Sequence, residues 1–137
     1  TLVDWRYIIS IGRHKMDKRK KIFKKVSKHL LTQNERSTSE DDCYYRHPLV
    51  DLKCAVGCLI DDDSYSVSLE GQQAFEDSVQ RAVSDSMGFP LKYEETRLLM
   101  DLQNVHDYYP PRDWAKELDF LADIWFNETL EELGALA

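Results

Sequence analysis

Residues 113–125 read DWAKELDFLADIW, and their spacing decides the fold class. Apolar residues recur three and four positions apart, which is the period of an α-helix with one buried side. These apolar positions are Trp114, Leu118, Leu121 and Trp125. Asp113 stands where a helix N-cap belongs, directly after the two prolines that end the preceding segment. The stretch therefore predicts an amphipathic helix.

The same period predicts three further helices upstream, over residues 17–32, 71–87 and 93–109. Asp17 suits the N-cap of the first, and Gly88 can take the left-handed conformation that ends the second. In the second helix, Phe75 is expected on the buried side together with Val79.

Residues 43–56 lack the helical period and carry His47-Pro48 between two apolar arms, which predicts a small β-hairpin. The expected fold is mainly α or α+β, with about four helices and this hairpin. A chain of 137 residues is about the size of one ordinary domain. A single helical domain is therefore expected over residues 16–137. Residues 1–15 are expected to be a leader or extension, or a short strand that pairs elsewhere.

The stretch LKCAVGCLI, residues 52–60, places small residues between two cysteines. Ala55 and Gly57 carry almost no side chain, so another segment can approach the backbone closely there. Cys54 and Cys58 are expected to be buried as small apolar residues. Asp61, Asp62 and Asp63 lack the alternating ligands of a calcium loop and are expected to cap or end a turn.

The charge of the chain is divided along its length. Residues 1–36 hold eleven Lys and Arg against three Asp and Glu, whereas the remainder holds seven against twenty-two. The first segment thus carries +8 and the rest −15, within a net charge of −7. The basic helix 17–32 is either a solvated face that packs beside the acidic remainder or a nucleic-acid-binding surface. Its candidate phosphate-binding residues are Lys18, Lys21, Lys25 and Lys28.

Two chemical alternatives involve the cysteines. Thiolates and a neutral imidazole are preferred zinc ligands, but the candidates do not have the spacing of known zinc knuckles. These weak metal candidates are Cys43, His47, Cys54 and Cys58. His106 and Asp107 supply the base and acid of a thiol-dependent enzyme if the fold brings them against LKCAVGCLI. The simpler expectation is that His106 satisfies carbonyl groups at a helix end. No cofactor and no catalytic residue are assigned.

An ordered set of motifs is similar to a group of small uncharacterised proteins of phages and bacteria. The set consists of HLLTQ (29–33), YYR (44–46), LKCAVGCLI (52–60), Tyr65, EG (70–71), DLQNVHD (101–107) and Trp114. The similarity runs from about residue 16 to residue 125 and implies phage-type origin without implying an activity. The chain departs from the group at Asp61, where a proline follows the LI pair in the others, and in the segment before Met16.

The sequence lacks a complete catalytic or cofactor constellation, so a non-enzymatic binding or regulatory protein is expected. Strong charge segregation and aromatic side chains suit recognition of a protein partner from the host or phage. The candidate partner-binding residues are Tyr44, Tyr45, Tyr108 and Tyr109. The alternatives are nucleic-acid binding through helix 17–32 and a metal- or thiol-dependent enzyme. Three cysteines, without a signal peptide or an apolar span of membrane length, suggest the cytoplasm and no membrane partner.

Overall fold

The computed structural model describes the backbone of residues 5–136 and the side chains of residues 18–136. Within that range the chain forms five α-helices and one two-stranded antiparallel hairpin. In chain order these are α1 (Trp5–Gln33), β1 (Thr38–Ser39), β2 (Asp42–Cys43), α2 (Asp77–Met87), α3 (Tyr93–Tyr108), α4 (Trp114–Phe126) and α5 (Leu130–Leu133). The expected mainly α fold with a small β element is confirmed.

The first helix is longer than its apolar period predicted. From residue 18 onward it buries one side, formed by Ile22, Phe23, Val26 and Leu30. Its backbone is already helical at Trp5, so Asp17 lies inside the helix and is not its N-cap. The short strand considered for residues 1–15 is not formed by residues 5–15, while residues 1–4 lie outside the described residues.

The core lies where α1 packs across α3 and α4. Trp114 is fully buried. It occupies the first position of α4, directly after the turn Pro111–Asp113, and its side chain faces the core. The ring of Phe23 meets that of Phe126 edge to face, with centroids 5.5 Å apart. This geometry is favoured by the charge distribution of aromatic rings. The helical stripes identified in the sequence face one shared interior, except that Leu121 and Trp125 are only half-buried, while Ala122 and Phe126 complete the buried side of α4.

The hairpin lies earlier than the sequence predicted. Thr38 pairs with Cys43 and Ser39 with Asp42. The connecting Glu40 and Asp41 both have positive φ, 50° and 71°, as in the two-residue turns that match strand twist. Between residues 43 and 56 a single antiparallel bridge forms, from Arg46 to Lys53. The predicted small hairpin is confirmed, but its paired strands end at Cys43, where the predicted range began, because no local pattern marked the Glu40-Asp41 turn.

The LKCAVGCLI segment is packed as its small residues indicated. A Cβ on Gly57 would lie 2.7 Å from the carbonyl carbon of Tyr45, closer than real contacts allow. Cys54, Ala55 and Val56 are fully buried beside it. The segment turns through a short 3-10 helix, Gly57–Leu59. The backbone of residue 45 thus occupies the space that a side chain at position 57 would need, which confirms the predicted close approach.

The second helix begins later than predicted, at Asp77. Side chains hydrogen bond to carbonyl groups that lie before the start of α2. The Tyr45 hydroxyl donates to the carbonyl of Gln72, and the Gln80 amide donates to that of Ala74. These bonds hold the segment in a turn, so Phe75 precedes the helix and is 56% exposed, against expectation. Gly88 ends α2 with φ 83°, as expected.

The last three helices follow one another closely. α3 ends before Pro110, and Asp113 occupies the N-cap position of α4 without making a side-chain capping bond. Asn127, with φ 54°, ends α4. Thr129 and Glu132 then form a reciprocal capping box that starts the separate α5. The order of elements places the end of α3 next to the β1–β2 hairpin, where the candidate site lies.

Candidate functional site

The end of α3 is anchored by a fully buried histidine. His106 accepts a hydrogen bond at Nε2 from the backbone N–H of Ser37, at 3.0 Å, and its ring stacks on Trp114 with centroids 5.6 Å apart. Ser37 also donates from its hydroxyl to the carbonyl groups of Tyr44 and Leu52. The expectation that His106 satisfies helix-end carbonyls was wrong, because the buried N–H of Ser37 needs an acceptor.

Asp107, the next residue along α3, fixes the other nitrogen of the ring. His106 Nδ1 lies 2.8 Å from Asp107 Oδ1, and Gln103 Nε2 donates to the same oxygen at 2.9 Å. Since Nε2 accepts from Ser37, the proton of the neutral imidazole is on Nδ1, where it donates to the carboxylate. The two neighbours in sequence thus hydrogen bond to each other, which the sequence did not predict.

Burial and hydrogen bonds shift the pKa values of both residues in this pair. Burial lowers the pKa of His106, but hydrogen bonds with Asp107 and Cys43 raise it above its ordinary value. The N–H of Ser37 restrains that rise, because a protonated Nε2 would face another donor. Burial raises the pKa of Asp107, but hydrogen bonds from His106, Cys43 and Gln103 outweigh burial and hold it below its usual value. The carboxylate is therefore the stable form of Asp107 at neutral pH.

The thiol of Cys43 completes the cluster. Its Sγ lies 3.8 Å from His106 Nδ1, and Gln103 Nε2 approaches it at 3.5 Å. A hydrogen bond with Cys54 and burial both raise the pKa of Cys43 well above its usual value, despite the opposing contact with His106. At neutral pH this side chain is a thiol and not a thiolate.

The cluster has the residue types of a nucleophilic triad but not its arrangement. An activated cysteine needs a base that can accept its proton. His106 carries a proton on Nδ1, and its Nε2 lone pair is occupied by Ser37. Neither nitrogen can therefore take the proton of Cys43, and the arrangement serves to hold the hairpin against α3.

The same three residues are close enough to share a metal ion, since one ligand atom from each of Cys43, His106 and Asp107 lies within 4.8 Å of the others. A metal on Nδ1 requires the proton to move to Nε2, where a ligating histidine usually donates to an acceptor. Here Nε2 faces the N–H donor of Ser37. The donor set therefore does not fit a zinc ion without displacing Ser37.

The four weak metal candidates from the sequence do not come together. His47 accepts the backbone N–H groups of Leu49 and Val50 at Nδ1, whereas Cys58 donates to the carbonyl of Ala55. Among the residues described from 18 to 136, the only metal-sized group of three or more such side chains is the one at Cys43. The quartet hypothesis is wrong in its geometry. Separately, Asp61 accepts the N–H of Ser64 at its Oδ1, which confirms a turn at the three acids.

Two adjoining grooves lie on the solvent side of α3. One has a volume of about 320 Å³ and is lined in part by Cys43, Gln103 and Asp107. The other, of about 280 Å³, lies between α3 and α4. Both grooves are lined by Asn104, so they adjoin at that residue and lie on one surface of the molecule.

We call this surface the acidic apolar face. Its exposed large side chains come from the segment before α2, from α3 and its end, and from α4, and they are Phe75, Met100, Tyr108, Tyr109, Phe120 and Ile124. Its carboxylates are Asp101, Asp107 and Glu117, and neither groove has a lysine or arginine among the described residues that line it. The face therefore combines apolar area with negative charge.

Of the four tyrosines proposed for partner binding, three line the grooves of this face, namely Tyr45, Tyr108 and Tyr109, and only the last two are exposed. Tyr108 is 75% exposed and Tyr109 is 38% exposed. Tyr44 is half-buried and tilted against His47. Tyr45 is only 8% exposed, because its hydroxyl reaches the carbonyl of Gln72, so the expectation of an exposed aromatic there was wrong.

The lysines of α1 form a separate surface on another side of the molecule. Lys21, Lys25 and Lys28 are exposed, whereas Lys18 is half-buried with its Nζ 5.7 Å from the centre of the Phe89 ring. A groove of about 570 Å³ beside them is lined by Lys25, Lys28 and Lys53, among others. Three of the four basic candidates are thus placed where an anion can reach them.

The motif segments of the sequence meet through hydrogen bonds. Glu70 accepts the backbone N–H groups of Tyr45 and Arg46 and the hydroxyl of Tyr65. Gln103 accepts the backbone N–H of Val56. These contacts stabilise the packing of the loops. The sequence did not single out Ser37, Gln103 or the pairing of Cys43 with His106, because these contacts join residues 60 or more positions apart.

Among the described helices, none combines the length and the apolar character that crossing a membrane requires. Comparison with protein-family models, with curated proteins and with solved structures gives no match to this chain.

Proposed function

We propose that this protein binds a protein partner through the acidic apolar face, and that the bound segment of the partner is basic and apolar. The observation that carries the proposal is the combination of exposed large side chains with carboxylates in two grooves that no described lysine or arginine lines. Extended exposed apolar patches of this kind are typical of interaction sites.

The apolar part of the face supports a protein ligand. Phe120 and Ile124 are 61% and 60% exposed and lie one turn apart on α4, so they form one ridge. Tyr108 stands at the end of α3, across the shared Asn104. Aromatic anchors that become buried on binding dominate the energy of many interfaces. Such a ridge suits large side chains of a partner.

The charged part of the face supports a basic ligand. Asp107 has its carboxylate held in the ionised form within the groove that contains Cys43. Asp101 and Glu117 line the second groove. A partner with lysine or arginine next to its apolar residues would be complementary, and this complementarity would accelerate binding at low salt.

The test is a selection from a random library of linear peptides on the immobilised full chain. We expect enriched peptides to combine Lys or Arg with aromatic or large aliphatic residues. One enriched peptide, synthesised with a fluorophore, should lose at least about tenfold in affinity for the double variant Phe120→Ser, Ile124→Ser, since two anchors are removed. The measurement is fluorescence anisotropy at two salt concentrations.

A matched control places the change on the other side of the molecule. The triple variant Lys21→Gln, Lys25→Gln, Lys28→Gln alters exposed residues of α1 and should bind the same peptide with unchanged affinity. Enrichment of acidic peptides, failure to enrich any, or equal binding to the α4 double variant would each overturn the proposal.

A second candidate function is supported by the lysines of α1. Lys21, Lys25 and Lys28 are exposed on one side of a regular helix, beside the groove that Lys53 also lines. Each lysine that contacts a phosphate contributes salt-dependent affinity for nucleic acid. The lysine-to-glutamine triple variant should then weaken binding of a labelled DNA or RNA oligonucleotide and flatten its salt dependence. No binding by the native chain at low salt would exclude this function.

The regulatory role, the origin and the location of the protein also belong to the proposal. We infer a non-enzymatic regulatory role, because the Cys43 cluster lacks an available base. A phage-type origin rests on the ordered motif set alone. A cytoplasmic location is supported by three free cysteines, since a reducing compartment keeps thiols unpaired.

A further inference from the structure

Another groove lies between the first described turns of α1, the end of α2 and the short helix α5. Its volume is about 630 Å³, and it shares no lining residue with the grooves described above. Sites for small molecules occupy roughly 300 to 1,000 Å³. The basic part of its lining comes from α1 and consists of Lys18, Lys20, Lys21 and Lys24. The groove therefore has the size of a ligand site and a basic wall.

The opposite part of the groove is apolar. Phe89 directly follows the left-handed stop of α2 and is half-buried, and Leu133 of α5 is buried in the core. The Nζ of Lys18 lies 5.7 Å from the centre of the Phe89 ring, a distance at which a cation is attracted to an aromatic face. The apolar wall thus has an ammonium group already positioned beside it.

The two carboxylates that line the groove are engaged within the fold. Glu128 Oε1 lies 3.1 Å from the Nζ of Lys20 and neutralises it. Glu132 accepts the backbone N–H of Thr129 in the capping box of α5. With four lysines against two glutamates in the lining, an excess of positive charge remains.

This excess lies mainly on Lys21 and Lys24. Both are exposed, and within residues 18–136 no carboxylate forms an ion pair with either ammonium group. The two residues are three positions apart, about 4.5 Å along the helix axis, where like charges repel. The side chain of Lys24 reaches the turn after α5, since a Cβ on Gly134 would lie 3.9 Å from its Nζ. An anion in the groove would relieve this repulsion.

We propose that the groove binds a small aromatic phosphate of the nucleotide class, with its phosphates on Lys21 and Lys24 and its aromatic group against Phe89 and Leu133. Two ammonium groups one turn apart suit a chain of phosphates, because both can contact the same polyanion. The apolar wall suits a base, which an inorganic anion lacks. The site is independent of the acidic apolar face.

The experiment uses ATP that carries a methylanthraniloyl fluorophore, mixed with the full chain at low salt without a metal ion. Fluorescence anisotropy follows binding, and unlabelled ATP, inorganic triphosphate and adenosine compete. We expect ATP to displace the probe at a concentration at least about tenfold lower than triphosphate or adenosine does, because only ATP makes both the charged and the apolar contacts.

A pair of matched variants locates the site. The double variant Lys21→Gln, Lys24→Gln should bind the probe at least about tenfold more weakly, since two charged contacts to phosphate are removed. The control Lys25→Gln, Lys28→Gln alters two exposed lysines with the same spacing on the same helix, which line the other basic groove, and should bind with unchanged affinity.

Circular dichroism checks that both double variants are folded. Three results would overturn the proposal: no binding of the probe by the native chain, equal losses in the two double variants, or displacement by inorganic triphosphate as effective as displacement by ATP. The last result would show a general attraction of anions to α1 without a contribution from Phe89 and Leu133.

Discussion

The inner and outer sides of α3 contrast in what their residues do. The inner side carries His106, which is fully buried, accepts from Ser37 and stacks on Trp114. The outer side carries Met100 and Tyr108, which extend into open grooves. The side that carries the histidine therefore has a mainly structural role. The side with ordinary apolar residues is the candidate for binding.

The contrast shows why residue types alone do not identify a functional site. A cysteine, a histidine and an aspartate close together resemble a catalytic site, but their hydrogen-bond directions decide their role. Here the single contact from the N–H of Ser37 fixes the tautomer of His106 and removes its basic nitrogen from use. The exposed apolar side chains are not held by a comparable hydrogen bond, so they remain available to a partner.

The largest expected effect comes from Gly57→Ala. The added methyl group would lie 2.7 Å from the carbonyl carbon of Tyr45 and cannot fit without moving backbone. We expect the free energy of unfolding to fall by about 4 kcal/mol in urea titrations. Gly71→Ala is the control, because nothing lies within 4 Å of its added Cβ and only its φ of 82° is unfavourable. Equal losses in the two variants would contradict the close approach at position 57.

The second-largest expected effect tests the structural role of His106. His106→Ala removes the acceptor of a buried N–H and leaves a cavity beside Trp114. We expect a loss of about 3 kcal/mol in the free energy of unfolding, measured by chemical denaturation. The control Tyr108→Ala, at an exposed position on the same helix, should cost much less. If His106→Ala were as stable as the native chain, His106 would not have the structural role that distinguishes the inner side of α3.

A smaller effect depends on pH. The pKa of Asp107 is raised by burial but held below its usual value by hydrogen bonds from His106, Cys43 and Gln103. A carboxyl group with a lowered folded-state pKa stabilises the protein above its unfolded-state pKa, and this contribution is lost as the pH falls through the folded-state value.

The native chain should therefore lose about 1 kcal/mol more stability than Asp107→Asn between about pH 5 and about pH 2. Urea unfolding at a series of pH values measures the difference. Parallel stability curves for the two proteins would show that the carboxylate of Asp107 does not stabilise the end of α3.

The smallest effect on stability is expected at the acidic apolar face. Phe120→Ser and Ile124→Ser alter side chains that are already 61% and 60% exposed, so each should change the free energy of unfolding by no more than about 0.5 kcal/mol. Thermal and urea unfolding provide the measurement. A loss as large as that of His106→Ala would show that the outer side of α3 and α4 is part of the core.

Much of the fold could be predicted from the sequence, because helical periodicity is local. The burial of Trp114 and Leu118 in α4, the left-handed stop at Gly88 and the tight packing at Gly57 could each be predicted from nearby residues. The prediction failed at Phe75, where the side chains of Tyr45 and Gln80 take carbonyl groups that a longer helix would have used. It failed also at the hairpin turn, where Glu40 and Asp41 adopt positive φ without a glycine.

The candidate site was predictable only in part. From the sequence, a cysteine, His106 and Asp107 were identified as possible members of a thiol-dependent site. The cysteine was expected to come from LKCAVGCLI, which was wrong. The pairing with Cys43, 63 positions away from His106, depends on how the hairpin packs on α3. The positions of Ser37 and Gln103 followed from the same packing.

The sequence by itself determined the helical stripes, the charge division and the small-residue turn, since these depend on the spacing of neighbouring residues along one chain. The tertiary structure alone decided which nitrogen of His106 carries the proton, which residues surround the Cys43 thiol and which aromatic side chains remain exposed. The physical reason is that hydrogen bonds and burial depend on distances between segments far apart in the chain, and local periodicity carries no information about those distances.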